Sequence, residues 1–325
     1  MTSRERVLET IHHRKPDRIP LNGWLGNEEF APKVVQRFGS LAAAHDHYEF
    51  DIAGVPCPTP FPWCAYHDLR EARKPEPITA EDILDIPLTD PDSTDIYVKM
   101  KEAVEKNNAG KCRFTIASTH GYFENFSAVF GLETQLINFA LYPDAIRILN
   151  TRMAEWNKKF ANNALDVGVD MIHFSDDWGA QRSLIFDPKQ WWELVYPFHA
   201  DVVGMIHKRG GLASLHSDGC VAQVLDGIAK IGFDVVHPFQ ESAGMDLSLF
   251  KRDYMDTFTV MGGLDVQTTI GFGKYDFLKS EIERIVGMFR DGGLIFCTSH
   301  SIQPHCTVEE FVFAYDLVYD LIRRP

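Results

Sequence analysis

The chain has 325 residues, 45% of them hydrophobic and 24% charged, which excludes a disordered protein and allows a large buried core. Its formal net charge of −14 disfavours binding to nucleic acid or to an anionic membrane surface, since both carry many negative charges. The sequence has no run of about 18 apolar residues, and its charged start lacks the apolar core of a signal peptide. We therefore expect a cytoplasmic protein whose six cysteines, which lack zinc-ribbon spacing, are free thiols.

Eight segments rich in β-forming residues are predicted to be strands, in chain order 18–23, 50–56, 113–121, 171–179, 211–219, 233–240, 257–265 and 294–303. Between them, apolar residues recur every three or four positions, which predicts helices at 144–167, 189–208, 221–231 and 277–289. Pro143 with Asp144, and Asp187 with Pro188, mark helix starts. The proline-rich segment 56–77 is predicted to be a long loop over one end of the fold.

Eight βα units in one chain favour a closed (β/α)8 barrel, the TIM barrel, over an open doubly wound sheet. The open sheet stays an alternative, but its glycine-rich phosphate-binding fingerprint is missing after the first predicted strand. No linker rich in Gly, Ser or Pro separates two halves. Residues 1–325 are therefore predicted to form a single barrel domain with an N-terminal helical extension.

Polar residues collect at the carboxyl ends of the predicted strands, where barrel enzymes place their active sites. His216 and Asp218 have the i, i+2 spacing that puts two side chains on one face of a strand. Together with His300, at the end of the eighth predicted strand, they could hold a divalent metal that keeps one position open. The alternative is that His216 and Asp218 only orient each other by hydrogen bonding.

Of the adjacent Asp176 and Asp177, only one should face the barrel axis, as an acid, a base or a substrate acceptor. The alternative for this pair is a loop cap or a buried ion pair. Cys297 is separated from His300 by an odd number of residues, which favours a packing role, whereas Cys220 is either a thiolate ligand or a buried thiol. Aromatic residues after the first three strands could line a pocket for a planar ligand or belong to the core: Trp24, Phe61, Trp63, Tyr66, Tyr122 and Phe123.

The start of the chain, MTSRERVL at 1–8 and KPDRIP at 15–20, resembles that of the uroporphyrinogen decarboxylase superfamily, which also contains cobalamin (corrinoid)-dependent methyltransferases. The resemblance continues through DDWG at 176–179, HSDG at 216–219, GGLD at 262–265 and SHSIQP at 299–304. It covers nearly the whole chain in order, and it implies a (β/α)8 barrel.

The two branches of this superfamily imply different activities. Decarboxylases of the superfamily carry an arginine-rich MRQAGR motif after the first strand, which binds substrate carboxylates. This chain has LNGWLGNEE at 21–29, without an arginine, and desolvating a polycarboxylate without guanidinium partners is costly. The chain is therefore expected not to be a porphyrinogen decarboxylase.

In the methyltransferase branch, a His-x-Cys pair and a later Cys hold zinc, and the matching positions here are His216, Asp218 and His300. This harder donor set suits zinc acting on an oxygen ether, such as a methoxylated aromatic, better than zinc acting on a thiol. The resemblance implies transfer of the methyl group to cobalt(I) of a corrinoid on a partner protein, and a homodimer is compatible with it. Asp177 joins the three ligands as a catalytic candidate, and the substrate-binding candidates are Trp24, Tyr122, Asp176, Gln181, Gln240 and Gln303.

Two other functions stay open from the sequence. A metal-free lyase acting on a small carboxylated substrate could use His300 and Asp177 as acid and base. A non-catalytic binding barrel is the third possibility, although it leaves the polar strand ends unexplained.

Overall fold

The computed structural model describes residues 1–323, apart from the side chain of Thr94, and it is an α/β fold in which strands alternate with helices. The strands are β1 (Ile52–Gly54), β2 (Phe114–His120), β3 (Met171–Ser175), β4 (Leu212–His216), β5 (Val235–His237), β6 (Thr259–Leu264) and β7 (Leu294–Thr298). The helices before β3 are α1 (Ser3–Ile11), α2 (Ala31–Phe38), α3 (Leu41–His47), α4 (Trp63–Arg73), α5 (Thr94–Ala109), α6 (Glu124–Phe130), α7 (Leu132–Leu141) and α8 (Pro143–Asp166). Those after β3 are α9 (Pro188–Leu194), α10 (Tyr196–Lys208), α11 (Leu225–Ile231), α12 (Leu247–Asp253), α13 (Tyr275–Met288) and α14 (Val308–Arg323). Short 3-10 helices span Glu81–Ile83, Ala222–Val224 and Glu241–Ala243.

The chain divides into two compact units. The first unit comprises residues 1–53, 107–114 and 234 onward, and the second comprises 54–106 and 115–233. In the second unit β3 pairs in parallel with both β2 and β4, and in the first unit β6 pairs in parallel with both β5 and β7. The single barrel domain and its closure by eight strands stay predictions.

The register between β3 and β4 decides which side chains meet at their carboxyl ends. Ser175 lies opposite His216, and His173 lies opposite Ser214. Because side chains alternate between the two faces of a strand, residues two positions apart share a face. Asp177 and Asp218 lie two residues beyond the strand-end residues Ser175 and His216.

Seven of the eight predicted strands are present, each shorter than predicted, and the first is reduced to a single parallel bridge between Leu21 and Phe296. The backbone N–H of Leu21 donates to the Asp51 carboxylate at 2.7 Å instead of to a neighbouring strand. Pro20 has no N–H to donate. Neither Pro20 nor Leu21 therefore donates a backbone hydrogen bond to a neighbouring strand, and a regular strand at 18–23 does not form.

The two predicted helix starts are confirmed. Pro143 is the first residue of α8, and the side chain of Asp187 accepts a hydrogen bond from the backbone N–H of Lys189 at the start of α9. The single helix predicted for 189–208 was wrong, since α9 ends at Leu194 and α10 begins at Tyr196. Pro197, in the first turn of α10, lacks the N–H that a continuous helix would donate to the carbonyl oxygen of Glu193, which favours the break.

The loop predicted for 56–77 was also wrong, because α4 lies inside it. The prolines of this segment lie before Trp63 or after Arg73, so they leave eleven consecutive residues free to form a helix. No helix within residues 1–323 is long and apolar enough to cross a membrane.

A buried ion cluster joins separate segments of the first unit. The carboxylate of Asp51, which is fully buried, accepts hydrogen bonds from Arg6 Nη1 at 2.6 Å and from Arg18 Nη1 at 2.8 Å. It also accepts the Leu21 N–H described above, so α1, the segment after it and the chain before β1 are held at one carboxylate. Burying this charge is tolerable only because its partners are present.

Candidate functional site

Asp177, His216 and Asp218 form a cluster in the second unit that could hold a metal ion, with one ligand atom from each residue within 4.8 Å of the others. His216 Nε2 lies 3.5 Å from Asp177 Oδ1 and 3.9 Å from Asp218 Oδ1. All three side chains are partly exposed, so a substrate can reach them. Two carboxylates and one imidazole suit zinc and other divalent metals of similar or greater hardness.

Backbone contacts between the loops after β3 and β4 position this cluster. The Asp218 N–H donates to Asp177 Oδ1 at 2.7 Å, and the Trp178 N–H donates to Ser217 Oγ at 3.0 Å. The Cys220 N–H donates to the carbonyl oxygen of Ala180 at 2.7 Å. These bonds connect the DDWG motif and the residue after it with the HSDG motif and the residue after it, so the two motifs form one structural feature.

Two glycines allow the loops to approach this closely. A Cβ added at Gly179 would lie 2.4 Å from the carbonyl oxygen of Asp218. A Cβ added at Gly219 would lie 2.5 Å from the carbonyl carbon of Gly179, and Gly219 has a φ of +76°, which L side chains rarely adopt. Both obstacles are backbone atoms, so a side chain at either position would separate the loops.

Gly179→Ala is therefore expected to lower the melting temperature and to weaken binding of a divalent cation at least about tenfold, an effect of the size found when groups that orient a metal ligand are changed. Calorimetric titration with Zn²⁺ and thermal unfolding would measure the two effects. The matched control is Gly204→Ala in α10, where an added Cβ meets no atom within 4 Å and alanine favours the helix. Equal cation affinity in Gly179→Ala and in wild type would contradict this account of the loops.

Glu124 is a carboxylate beside the cluster that the sequence pattern did not indicate as a candidate. Its Oε2 accepts hydrogen bonds from Ser175 Oγ at 2.9 Å and from the Asp177 N–H at 3.4 Å. Burial, together with the negative charge of Asp177, raises the pKa of Glu124 to about 7. Glu124 lies three residues beyond the predicted strand 113–121. This position could have indicated it as a site candidate, because residues that follow strand ends can also reach the site.

Asp176 was predicted to bind substrate, but it is fully buried and its carboxylate is used by the chain itself. It accepts the N–H groups of Tyr122, Phe123 and Glu124 at 2.8–2.9 Å and bonds to His199 Nε2 at 2.9 Å. Burial opposes ionisation, but the bond from His199 and the backbone donors hold the pKa of Asp176 below its ordinary value. Asp176 therefore anchors the turn before α6, and Asp177 is the member of the pair that faces the cluster.

The other predicted substrate residues of the second unit have different surroundings. Tyr122 is fully buried, and its ring packs against those of Phe198 and His199, so it belongs to the core. Gln181 is exposed in the loop after β3. Among the aromatic candidates, Phe61, Tyr66 and Phe123 are buried, whereas Trp63 keeps 40% of its surface exposed.

The remaining predicted site residues lie in the first unit. His300 is exposed just after β7, and its Nδ1 is 3.3 Å from Gln303 Nε2, so these two candidates are together. Gln240 is buried and donates to Ser242 Oγ. Trp24 is half-buried with its ring 5.5 Å from that of His237. The participation of His300 as a metal ligand stays a prediction.

All six cysteines are free, as expected. Cys297 is fully buried, and burial raises the pKa of its thiol far above the ordinary value, which agrees with the predicted packing role. Cys220 is also buried, and it is absent from the Asp177, His216 and Asp218 cluster.

Comparison with known proteins gives matches over most of the chain. The uroporphyrinogen decarboxylase (URO-D) family model matches residues 68–321. Uroporphyrinogen decarboxylases of Citrifermentans bemidjiense and of Geobacter sp. strain M21 are each 24% identical over 186 residues, which is 56% of this chain and 51% of theirs. The matched region thus spans about half the length of these curated relatives.

Two solved structures share the fold. A methyltransferase from Methanosarcina mazei superposes with a TM-score of 0.67 at 14% identity, covering 98% of both chains. A B12-independent methionine synthase from Shewanella sp. W3-18-1, in complex with selenomethionine, has a TM-score of 0.53 at 13% identity and covers 95% of both chains. At these identities the likeness shows a common fold.

Proposed function

Because the chain belongs to the uroporphyrinogen decarboxylase family, and its fold is shared with methyltransferases, we propose that it transfers a methyl group. The proposed donor is a small methylated compound, most specifically a methoxylated aromatic, and the acceptor is cobalt(I) of a corrinoid carried by a partner protein. The proposal retains the predicted (β/α)8 barrel, in which segment 18–23 would contribute only its parallel bridge at Leu21.

The observation that carries the proposal is the cluster of Asp177, His216 and Asp218 at the ends of β3 and β4. Its oxygen and nitrogen donors fit Zn²⁺ or another borderline divalent metal, and no thiolate competes for the charge of the ion. A metal bound there would supply Lewis acidity towards the ether oxygen of the substrate, stabilising the phenolate that leaves when the methyl–oxygen bond breaks.

The residues of the chain have distinct proposed roles. His216, Asp177 and Asp218 hold the metal, and the loop contacts at Gly179 and Gly219 keep these donors together. His300 is the further proposed ligand, and Gln181, Gln240, Gln303 and Trp24 are the proposed substrate contacts. The corrinoid partner is part of the same proposal, because a methyl group leaving as a cation equivalent needs a strong nucleophile.

The absence of arginine from 21–29 argues against decarboxylation of a porphyrinogen, although the curated relatives are named for that reaction. Each carboxylate of such a substrate would lose its hydration without gaining a guanidinium partner. A lyase acting on a smaller carboxylated substrate is kept as the alternative outcome of the experiment below.

The experiment mixes the full chain, loaded with Zn²⁺, with a methoxylated benzoate and cobalt(I) cobalamin, and follows methylcobalamin by its absorbance. We expect methylcobalamin and free phenol in equal amounts, and loss of both after chelation because the leaving phenolate is no longer stabilised. Methyl transfer from methanol or a methyl thiol, but from no ether, would replace the proposed substrate class. Failure of every methyl donor, together with metal-independent release of CO2 from a carboxylated compound, would favour the lyase.

A further inference from the structure

We infer that Glu124 is a positioning residue for the cation site and that its side chain holds Asp177 in place. The inference rests on the proposed function, because it assigns a role around the cluster of Asp177, His216 and Asp218. Glu124 is the first residue of α6, and it lies outside the cluster itself. Its side chain nevertheless reaches the end of β3, where Asp177 follows Ser175.

The backbone at Glu124 is held by the carboxylate of Asp176. Its N–H and that of Phe123 both donate to Asp176 Oδ1, at 2.9 and 2.8 Å. Asp176 is in turn held by the buried His199 at 2.9 Å. The start of α6 is therefore attached to the residue that immediately precedes Asp177.

The side chain of Glu124 adds two further hydrogen bonds to the end of β3. Its Oε2 accepts from Ser175 Oγ and from the Asp177 N–H, the residues on either side of Asp176. The end of β3 is thus bonded to the start of α6 through three consecutive residues. Without the Glu124 acceptor, the Asp177 N–H would lose this bond to the start of α6.

The other contacts of Asp177 lead directly to the other candidate ligands. Asp177 Oδ1 accepts the Asp218 N–H at 2.7 Å and lies 3.5 Å from His216 Nε2. A small shift of Asp177 would therefore change its distances to both other members of the cluster. Groups that orient a metal ligand typically contribute roughly 10–100-fold to metal affinity, and Glu124 has the geometry of such a group.

The test is calorimetric titration of the metal-free full chain with Zn²⁺, comparing wild type with Glu124→Ala, Glu124→Gln and Ser175→Ala. Glu124→Ala should weaken binding roughly 10–100-fold. Glu124→Gln keeps an oxygen acceptor and should lie closer to wild type than to Glu124→Ala. Ser175→Ala removes one of the two donors and should give a smaller loss than Glu124→Ala. Glu133→Ala, an exposed carboxylate in the first turn of α7, is the matched control and should bind like wild type.

Thermal unfolding without Zn²⁺ separates positioning from loss of fold, since Glu124→Gln should melt near wild type. Wild-type affinity in Glu124→Ala would overturn the inference and leave the cation site intact. Equal losses in Glu124→Ala and Glu124→Gln would also overturn it, because they would assign the effect to charge rather than to hydrogen bonding. If wild type itself binds no cation, both the inference and the metal centre of the proposed function fall, whereas methyl transfer without metal would still be measured separately.

Discussion

His216→Ala is expected to abolish methyl transfer and to weaken Zn²⁺ binding more than about 100-fold, beyond the range typical of residues that only orient a ligand. His216 supplies the imidazole donor of the cluster, and its Nε2 faces both carboxylates, at 3.5 Å for Asp177 and 3.9 Å for Asp218. Without it, two carboxylates would face each other with no nitrogen donor between them. Calorimetric titration and the methylcobalamin assay would measure the two losses.

The matched control for this prediction is His67→Ala, because His67 is an exposed histidine on α4 of the same unit. It should leave Zn²⁺ affinity and methyl transfer at wild-type values. Unchanged Zn²⁺ binding in His216→Ala would contradict the candidate site directly.

Asp177→Ala and His300→Ala identify the third ligand. If Asp177 completes the site, Asp177→Ala should lose Zn²⁺ binding while His300→Ala retains it. If the ligand set implied by the family resemblance is the right one, the larger loss should come from His300→Ala. Comparable losses in both variants would indicate that all four side chains hold the ion, so that a substrate oxygen would bind as a fifth ligand.

Asp51→Ala is expected to lower the free energy of unfolding by about 3–5 kcal/mol, the cost of removing one partner from a buried ion cluster. The variant would leave Arg6 and Arg18, whose side chains are 9% and 7% exposed, without their shared carboxylate. It would also leave the Leu21 N–H without its acceptor. Urea unfolding followed by circular dichroism would measure the difference.

Two further variants separate the charge from the hydrogen bonds of Asp51. Asp51→Asn keeps an acceptor for Leu21 but not the charge, so its loss should be intermediate. Asp291→Ala, which removes an exposed carboxylate paired with Lys15, should leave the urea midpoint nearly unchanged, since surface ion pairs contribute little. A midpoint for Asp51→Ala equal to that of Asp291→Ala would show that the buried cluster does not stabilise the first unit.

The regular elements were predictable from the sequence wherever neighbouring residues decide the backbone. The starts of α8 and α9 follow from Pro143 and Asp187, because an N-terminal proline and an aspartate cap act within a few residues. The strand 18–23 failed because the Leu21 N–H donates to Asp51, which is 30 positions away along the chain. Such a long-range acceptor has no signature in the local pattern.

The candidate site likewise combines features that the local sequence predicts with features that depend on tertiary contacts. The sequence alone predicted from the alternation of side chains that His216 and Asp218 lie together, and their 3.9 Å distance agrees with this, although β4 ends at His216. Only the tertiary structure decided that Asp177 rather than Asp176 joins them, since the choice depends on the register that sets Ser175 opposite His216. It also decided the place of Glu124, which reaches β3 from the start of α6. Spacing along one strand is a local property, whereas contacts between neighbouring strands and helices arise only when distant segments pack together.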